Sequence, residues 1–218
     1  MSKHLGLAVL ESRWATHREW SVRPVYETLA SLKCNNPNAF HYEMFNNAAS
    51  LKEALPGVAM TRGIRNIVIA SHGDERGLVG ARDSYISRAV LYGALAAIDK
   101  PVEGLFFTGC LIGRKDNVRF LLHGFEDPKG IQIDWVAGYR KEVDWLGAAA
   151  FELLFWTEYY KQHRGLRASV KSMERVCTVV RDKAAGLCDE LGVGLFVRQR
   201  GKARSGKQRL VDLFALSL

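Results

Sequence analysis

No stretch of the 218-residue sequence approaches the ~20 consecutive apolar residues that a membrane-spanning helix needs. The most apolar run, Trp145 to Trp156, is broken by Glu152 and followed by Glu158, so no membrane association is expected. The N-terminal apolar run in MSKHLGLAVLESRW is too short for a secretory signal, which points to the cytoplasm. Cysteine is scarce and unpaired in pattern. Cys34, Cys110, Cys177 and Cys188 contain no C-x-x-C spacing, so a thiolate metal site of that kind is excluded and reduced thiols are expected. Cys177 and Cys188 lie in one helical stretch about three turns apart, ~16 Å, too far to bridge. Repeats, low-complexity linkers and clear domain boundaries are also missing, so 1–218 reads as one domain. A hydrophobic share of 48% with 25% charged residues is ordinary for a folded chain and excludes global disorder.

Charge of one sign is in excess only at one end. Residues 1–160 hold 18 Lys+Arg and 18 Asp+Glu, whereas 161–218 hold 13 and 5, so the whole net charge of +8 falls in the last quarter. That quarter reads as a helix, a strand and a basic tail in which Arg198, Arg200, Lys202, Arg204, Lys207 and Arg209 follow one another without an acid between. Such a run suits an activating protein partner, an anionic signal or nucleic acid, or is simply a solvated face. No aromatic residue lies among these cations between Phe196 and Phe214, so base stacking and with it nucleic acid lack support. Gly201 to Gln208 nearly spells a phosphate-binding loop, but Gln208 stands where a Ser or Thr would hold Mg²⁺.

Short apolar runs alternate with amphipathic stretches along the chain. Leu5–Leu10, Phe40–Phe45, Ile64–Ala70, Gly104–Thr108, Trp135–Tyr139 and Val193–Val197 read as strands. Between them Val22–Lys33, Ala48–Leu55, Ser84–Ile98, Asp144–Tyr160 and Ser169–Leu191 have helical periodicity, with Pro24 tolerated in a first turn and Pro56-Gly57 closing the second helix. The β-branched run Ile64–Ala70 suits a strand covered on both faces. This pattern predicts an α/β chain, a three-layer αβα sandwich around a mainly parallel sheet.

In such sheets chemistry collects at the carboxyl ends of the strands. After Ile64–Ala70 comes Ser71-His72-Gly73-Asp74, and after Gly104–Thr108 comes Gly109-Cys110-Leu111-Ile112-Gly113. If these strands are neighbours, His72 and Cys110 meet at one sheet edge. A thiol attacks as its thiolate, favoured by an adjacent imidazole or a helix N-terminus, and a helix directly after Cys110 would supply the second. Gly73 could bring a bare backbone N–H to a developing oxyanion. Taken singly, a Cys after a buried strand is a common core residue and a Ser-His-Gly a common loop; only their conjunction suggests catalysis.

IVIASHGDERGLVG followed by GLFFTGCLIG resembles the caspase-like (clan CD) cysteine peptidases, and within them the CHAT and metacaspase-like bacterial branch. There a hydrophobic strand ends in His-Gly, a short hairpin follows (here Gly77-Leu78-Val79-Gly80), and the next hydrophobic strand ends in Cys. The resemblance implies a caspase-like fold and a cysteine endopeptidase needing neither metal nor cofactor. It implies His72 as general acid/base, Cys110 as nucleophile, and the Gly73 and Cys110 amides as the oxyanion hole. Asp74 is a candidate helper. A substrate pocket would be lined by Thr108 and Gly109 and by the loop holding Arg140 and Asp144. The caspase QACRG motif is absent, and Thr108 occupies the position where metacaspases carry an Asp for a basic substrate side chain. Family association adds control by a partner or signal and a role in bacterial antiviral defence. A catalytically inactive module of the same fold, and an anion- or nucleic-acid-binding α/β protein using the basic tail, stand as alternatives. Trp14, His17 and Trp20 either wall the cleft or pack over the core; His123-Gly124 ranks behind His72, and His4, His41 and His163 suggest no metal site.

Overall fold

The computed structural model describes residues 6–13, 21–33, 39–122, 133–163, 167–199 and 209–215. Seven strands form one sheet. In chain order they are β1 (Gly6–Ser12), β2 (Phe40–Phe45), β3 (Ile64–Ala70), β7 (Val102–Thr108), β8 (Ile133–Tyr139), β9 (Val193–Gln199) and β10 (Arg209–Asp212). A second, three-stranded sheet holds β4 (His72–Gly73), β5 (Gly77–Val79) and β6 (Tyr85–Ser87). The large sheet runs β10-β9-β8-β7-β3-β1-β2, parallel from β2 through β8 and antiparallel at β9 and β10. This is the mainly parallel α/β architecture that the alternation of runs predicts.

Helices cover both faces, and the strand pattern explains why. Side chains alternate across a strand. On β7, Phe106 points into one core layer while Leu105 and Phe107 point into the other. The first layer is roofed by α1 (Arg23–Lys33), α5 (Trp145–Gln162) and α6 (Val170–Leu191), the second by α2 (Ala48–Met60), α3 (Arg88–Ala96) and α4 (Lys115–Leu121). Helix α5 delivers an aromatic stripe, Phe151, Phe155, Trp156 and Tyr159, onto Phe106, Trp135 and Tyr139 of the sheet with ring centroids 5.3–6.0 Å apart. Each fully buried side chain of this size contributes roughly 1.5–3 kcal/mol.

Most element ends fall within two residues of the sequence reading; three boundaries differ by more. Helix α2 continues through Pro56-Gly57 to Met60, because Val58 and Ala59 bury completely against the second layer and outweigh the one bond Pro56 forfeits. Ser84–Ile98 divides into β6 and α3, since Tyr85–Ser87 pairs with β5 and the Ser87 hydroxyl then caps α3 through the Val90 N–H. The chain after Cys110 does not become helical at once: α4 starts only at Lys115, and Leu111 takes a left-handed turn with φ 63°. Cys34, Trp14, His17, Trp20, His4, His123-Gly124 and the stretch 200–208 lie outside the described residues. No helix among those described is long and apolar enough to cross a membrane.

Candidate active site

Strands β3 and β7 are adjacent and parallel, with Ala70 paired to Thr108. Equal steps onward from that pair lead to Ser71 and His72 on one strand end and to Gly109 and Cys110 on the other. The Ser71 N–H donates to the Thr108 carbonyl at 3.4 Å, continuing the ladder past the strands proper. Two glycines permit this approach. A Cβ on Gly109 would stand 2.4 Å from the Ser71 carbonyl oxygen, and one on Gly73 would stand 2.5 Å from the Cys110 carbonyl oxygen. Any larger residue at either position forces the two ends apart.

The His72 end is held by buried hydroxyls. Ser71 Oγ donates to the Val79 carbonyl at 2.7 Å and accepts from Ser12 Oγ at 3.1 Å, which fixes the β4–β5 hairpin over the end of β1. Asp74 is occupied by that hairpin. Its Oδ1 accepts from the Arg76 and Gly77 amides at 2.7 and 2.9 Å and from the Tyr85 hydroxyl at 3.4 Å, so it builds the turn. The Asp74 N–H donates to the Gly77 carbonyl, which by antiparallel alternation turns the Gly73 N–H away from β5. A salt bridge of Arg114 with Glu75 then ties the turn to the chain that follows Cys110.

His72 is exposed and Cys110 half-buried, and both line one cleft of about 70 Å³, several times the room one water needs. Thr108, Gly109 and Asp144 line it as well, while Arg140 stands outside its lining. The Arg140 guanidinium instead grips Asp212 on β10, with Nη2 2.7 and 2.8 Å from the two carboxylate oxygens. Asp144 has a second task at the cleft rim. Its Oδ1 accepts from the Leu146 and Gly147 amides, both at 2.9 Å, and so caps α5.

Three features of the cleft escape the sequence reading. Val22, just before α1, and Val25 within it form a wall, positioned because buried Glu11 at the end of β1 accepts from the Val22 N–H at 2.8 Å and from the Ser21 and Tyr42 hydroxyls, both at 2.6 Å. Glu152 lies beneath Thr108, almost wholly buried, accepting from the Tyr26 and Tyr139 hydroxyls at 2.7 Å each and from Thr108. Burial pushes its carboxyl above the ordinary range, against those three hydrogen bonds. Val143 touches the sulfur itself: its N–H donates to Cys110 Sγ at 3.5 Å. Only Glu152 left a trace in the sequence, as an acid inside an apolar run. Of the other cysteines, Cys177 and Cys188 are buried, and burial pushes both thiols up. His163 is spent on the Tyr159 carbonyl and the Ser172 hydroxyl, both at 2.8 Å, and His41 contacts Glu43. Among the described residues no group of three or more His, Cys, Asp or Glu could hold a metal ion.

An α/β sandwich with a His-Gly and a Cys at the carboxyl ends of adjacent parallel strands is the caspase-like class of fold. Among solved structures the chain is similar to a secreted C11 cysteine protease from Bacteroides thetaiotaomicron, "iotapain", with a TM-score of 0.53 over 89% of this chain at 12% identity. The chain spans 66% of that protein's length, just under two thirds, and at this identity the likeness is one of fold. No protein-family model matches the sequence, and no curated protein matches it.

Proposed function

We propose that this chain is a cysteine endopeptidase whose dyad is His72 and Cys110. The observation that carries the reading is the β3–β7 register, which brings both strand ends to a single cleft through the close approaches at Gly73 and Gly109. His72 takes the thiol proton, and the sulfur attacks the carbonyl carbon of a peptide bond, forming the S–C bond while the π electrons move to oxygen. The Gly73 and Cys110 amides hold that oxyanion. Its collapse breaks the C–N bond, and His72 gives its proton to the leaving amine. Water then loses a proton to His72 as its oxygen attacks the thioester; the S–C bond breaks, the new carboxylic acid leaves, and His72 returns the proton to the sulfur, restoring the thiol. Thr108, Gly109 and Asp144 face the substrate side chain.

The finer parts of the proposal rest on the motif resemblance: the CHAT or metacaspase-like branch, a cytoplasmic location, and use in antiviral defence under control of a partner or anionic signal at the basic C-terminal run. The fold of a secreted protease supports the peptidase class and leaves those parts to the motif.

The test uses iodoacetamide and a mixed peptide library on the intact chain. Cys110 should be alkylated ahead of Cys177 and Cys188, and His72→Ala should slow its alkylation toward the rate of an ordinary exposed thiol, because only the part of the lead due to exposure survives the substitution. Peptide cleavage should be lost in both Cys110→Ala and His72→Ala. Undiminished alkylation in His72→Ala, or cleavage persisting in Cys110→Ala, would refute the dyad.

A further inference from the structure

We propose that the Arg140–Asp212 ion pair is a strut through which the last strand of the sheet positions the nucleophile. Arg140 and Asp212 are positioning residues in this scheme, neither touching substrate, and the proposal rests on the peptidase reading of Cys110. The loop after β8 passes directly behind the sulfur. Its Val143 N–H donates to Cys110 Sγ at 3.5 Å, and its Lys141 carbonyl accepts from the Leu111 N–H at 3.2 Å, one residue past the nucleophile. The same loop is hung from the far side on the chain's C-terminal elements. The Arg140 N–H donates to the Gly192 carbonyl at 2.9 Å, and Lys141 Nζ donates to the Asp189 carbonyl at 2.7 Å.

The ion pair is the side-chain bond in this suspension with the most at stake. Arg140 Nη2 bridges both Asp212 oxygens, and the guanidinium carbon stands 5.7 Å from the centre of the Phe196 ring. Arg140 Nε is buried with no acceptor among the described residues, and there the guanidinium's charge partner is Asp212. Asp212 is fixed in turn by β-pairing to Phe196 and by the Ala215 N–H on its Oδ1 at 3.3 Å. Losing one partner strands the other, and a partly buried unpaired charge draws its surroundings toward water. The loop would then leave Sγ, and displacement of the order of 1 Å at a reacting group can cost ~10²-fold in rate. Position 212 follows the basic run, so this strut gives that charged segment a mechanical connection to the site.

The test compares Asp212→Asn, Arg140→Met and the double variant in the intact chain by two readouts. Hydrogen exchange of peptides spanning 139–144 should become at least ~10-fold faster in each single variant, with exchange in β1 and β3 unchanged. For peptide hydrolysis kcat should fall about tenfold, and the double variant should be no worse than the poorer single one, since both remove one interaction. Arg140→Lys, keeping a cation, should lose less than Arg140→Met; it decides the matter if Asp212→Asn fails to fold. Unchanged exchange over 139–144, or single losses that multiply in the double variant, would overturn the strut. If the wild-type chain cleaves no peptide at all, the peptidase reading falls, and the exchange data still decide whether the strut holds the loop.

Discussion

Replacing Gly73 with alanine tests the closest approach in the site. The new Cβ would lie 2.5 Å from the Cys110 carbonyl oxygen and 3.0 Å from Ile112 Cγ1, whereas real Cβ contacts essentially never fall under 3.0 Å. The Ile112 side chain can rotate aside. The Cys110 carbonyl cannot, because it accepts from the Ile112 N–H at 2.7 Å in the turn whose next residue is left-handed Leu111. On the other side the hairpin is held by Ser71 Oγ on the Val79 carbonyl. The His72 and Cys110 ends must therefore part by about half an ångström. For groups that react by contact, that separation is expected to cost ~10- to 100-fold in kcat/KM and in the His72-dependent alkylation of Cys110. Overpacking of this kind costs roughly 1–3 kcal/mol of stability, or about 2–12 °C for a chain of this size, so the fold should survive. Trp fluorescence during heating measures the second quantity alongside the first. Gly57→Ala is the control: nothing lies within 4 Å of its new Cβ, so activity should hold and stability should rise by ~0.5–1 kcal/mol. Wild-type alkylation and cleavage rates in Gly73→Ala would refute the claim that this glycine sets the distance between the two strand ends.

Asp144→Ala removes the cap of α5 and an acid at the cleft rim together. It should cost ~0.5–2 kcal/mol in denaturant unfolding, and a change in KM for peptides differing only in side-chain charge reports its second role; no change in stability would contradict the capping. Glu152→Gln isolates the buried carboxyl. Because burial raises its folded pKa above the unfolded one, the stability associated with its proton is present below the unfolded pKa and lost as pH rises through the folded one. Wild type should therefore lose ground against Glu152→Gln with rising pH, by at most ~1.4 kcal/mol per unit, and a stability difference independent of pH would refute it.

The parts of this molecule legible in the sequence are those specified by contiguous residues. Ile64–Ala70 and Gly104–Thr108 announce buried strands because strands with helices on both faces are apolar at every position, and the glycines beside His72 and Cys110 mark where two backbones crowd. What failed was decided by distant partners. Nothing local says that Val58 and Ala59 bury deeply enough to carry α2 past Pro56, or that Tyr85–Ser87 finds β5 before α3 begins. The loop at 140–144 shows the same limit in the site. Its place after the next strand suggested substrate contacts for both Arg140 and Asp144, yet Arg140 is taken by an aspartate 72 residues away. The sulfur's neighbour is the backbone of Val143, whose side chain carries no chemical signal. Glu152 is intermediate: an acid in the middle of an apolar run is visible as an anomaly, but its meaning depends on Tyr26, 126 residues earlier, and on Thr108 two places before Cys110. A buried carboxyl needs donors, and the cleft floor gathers three hydroxyls around this one. The meeting of His72 and Cys110 at one cleft was therefore readable from two short motifs, while the remaining walls of that cleft are made by packing α1 and α5 against them.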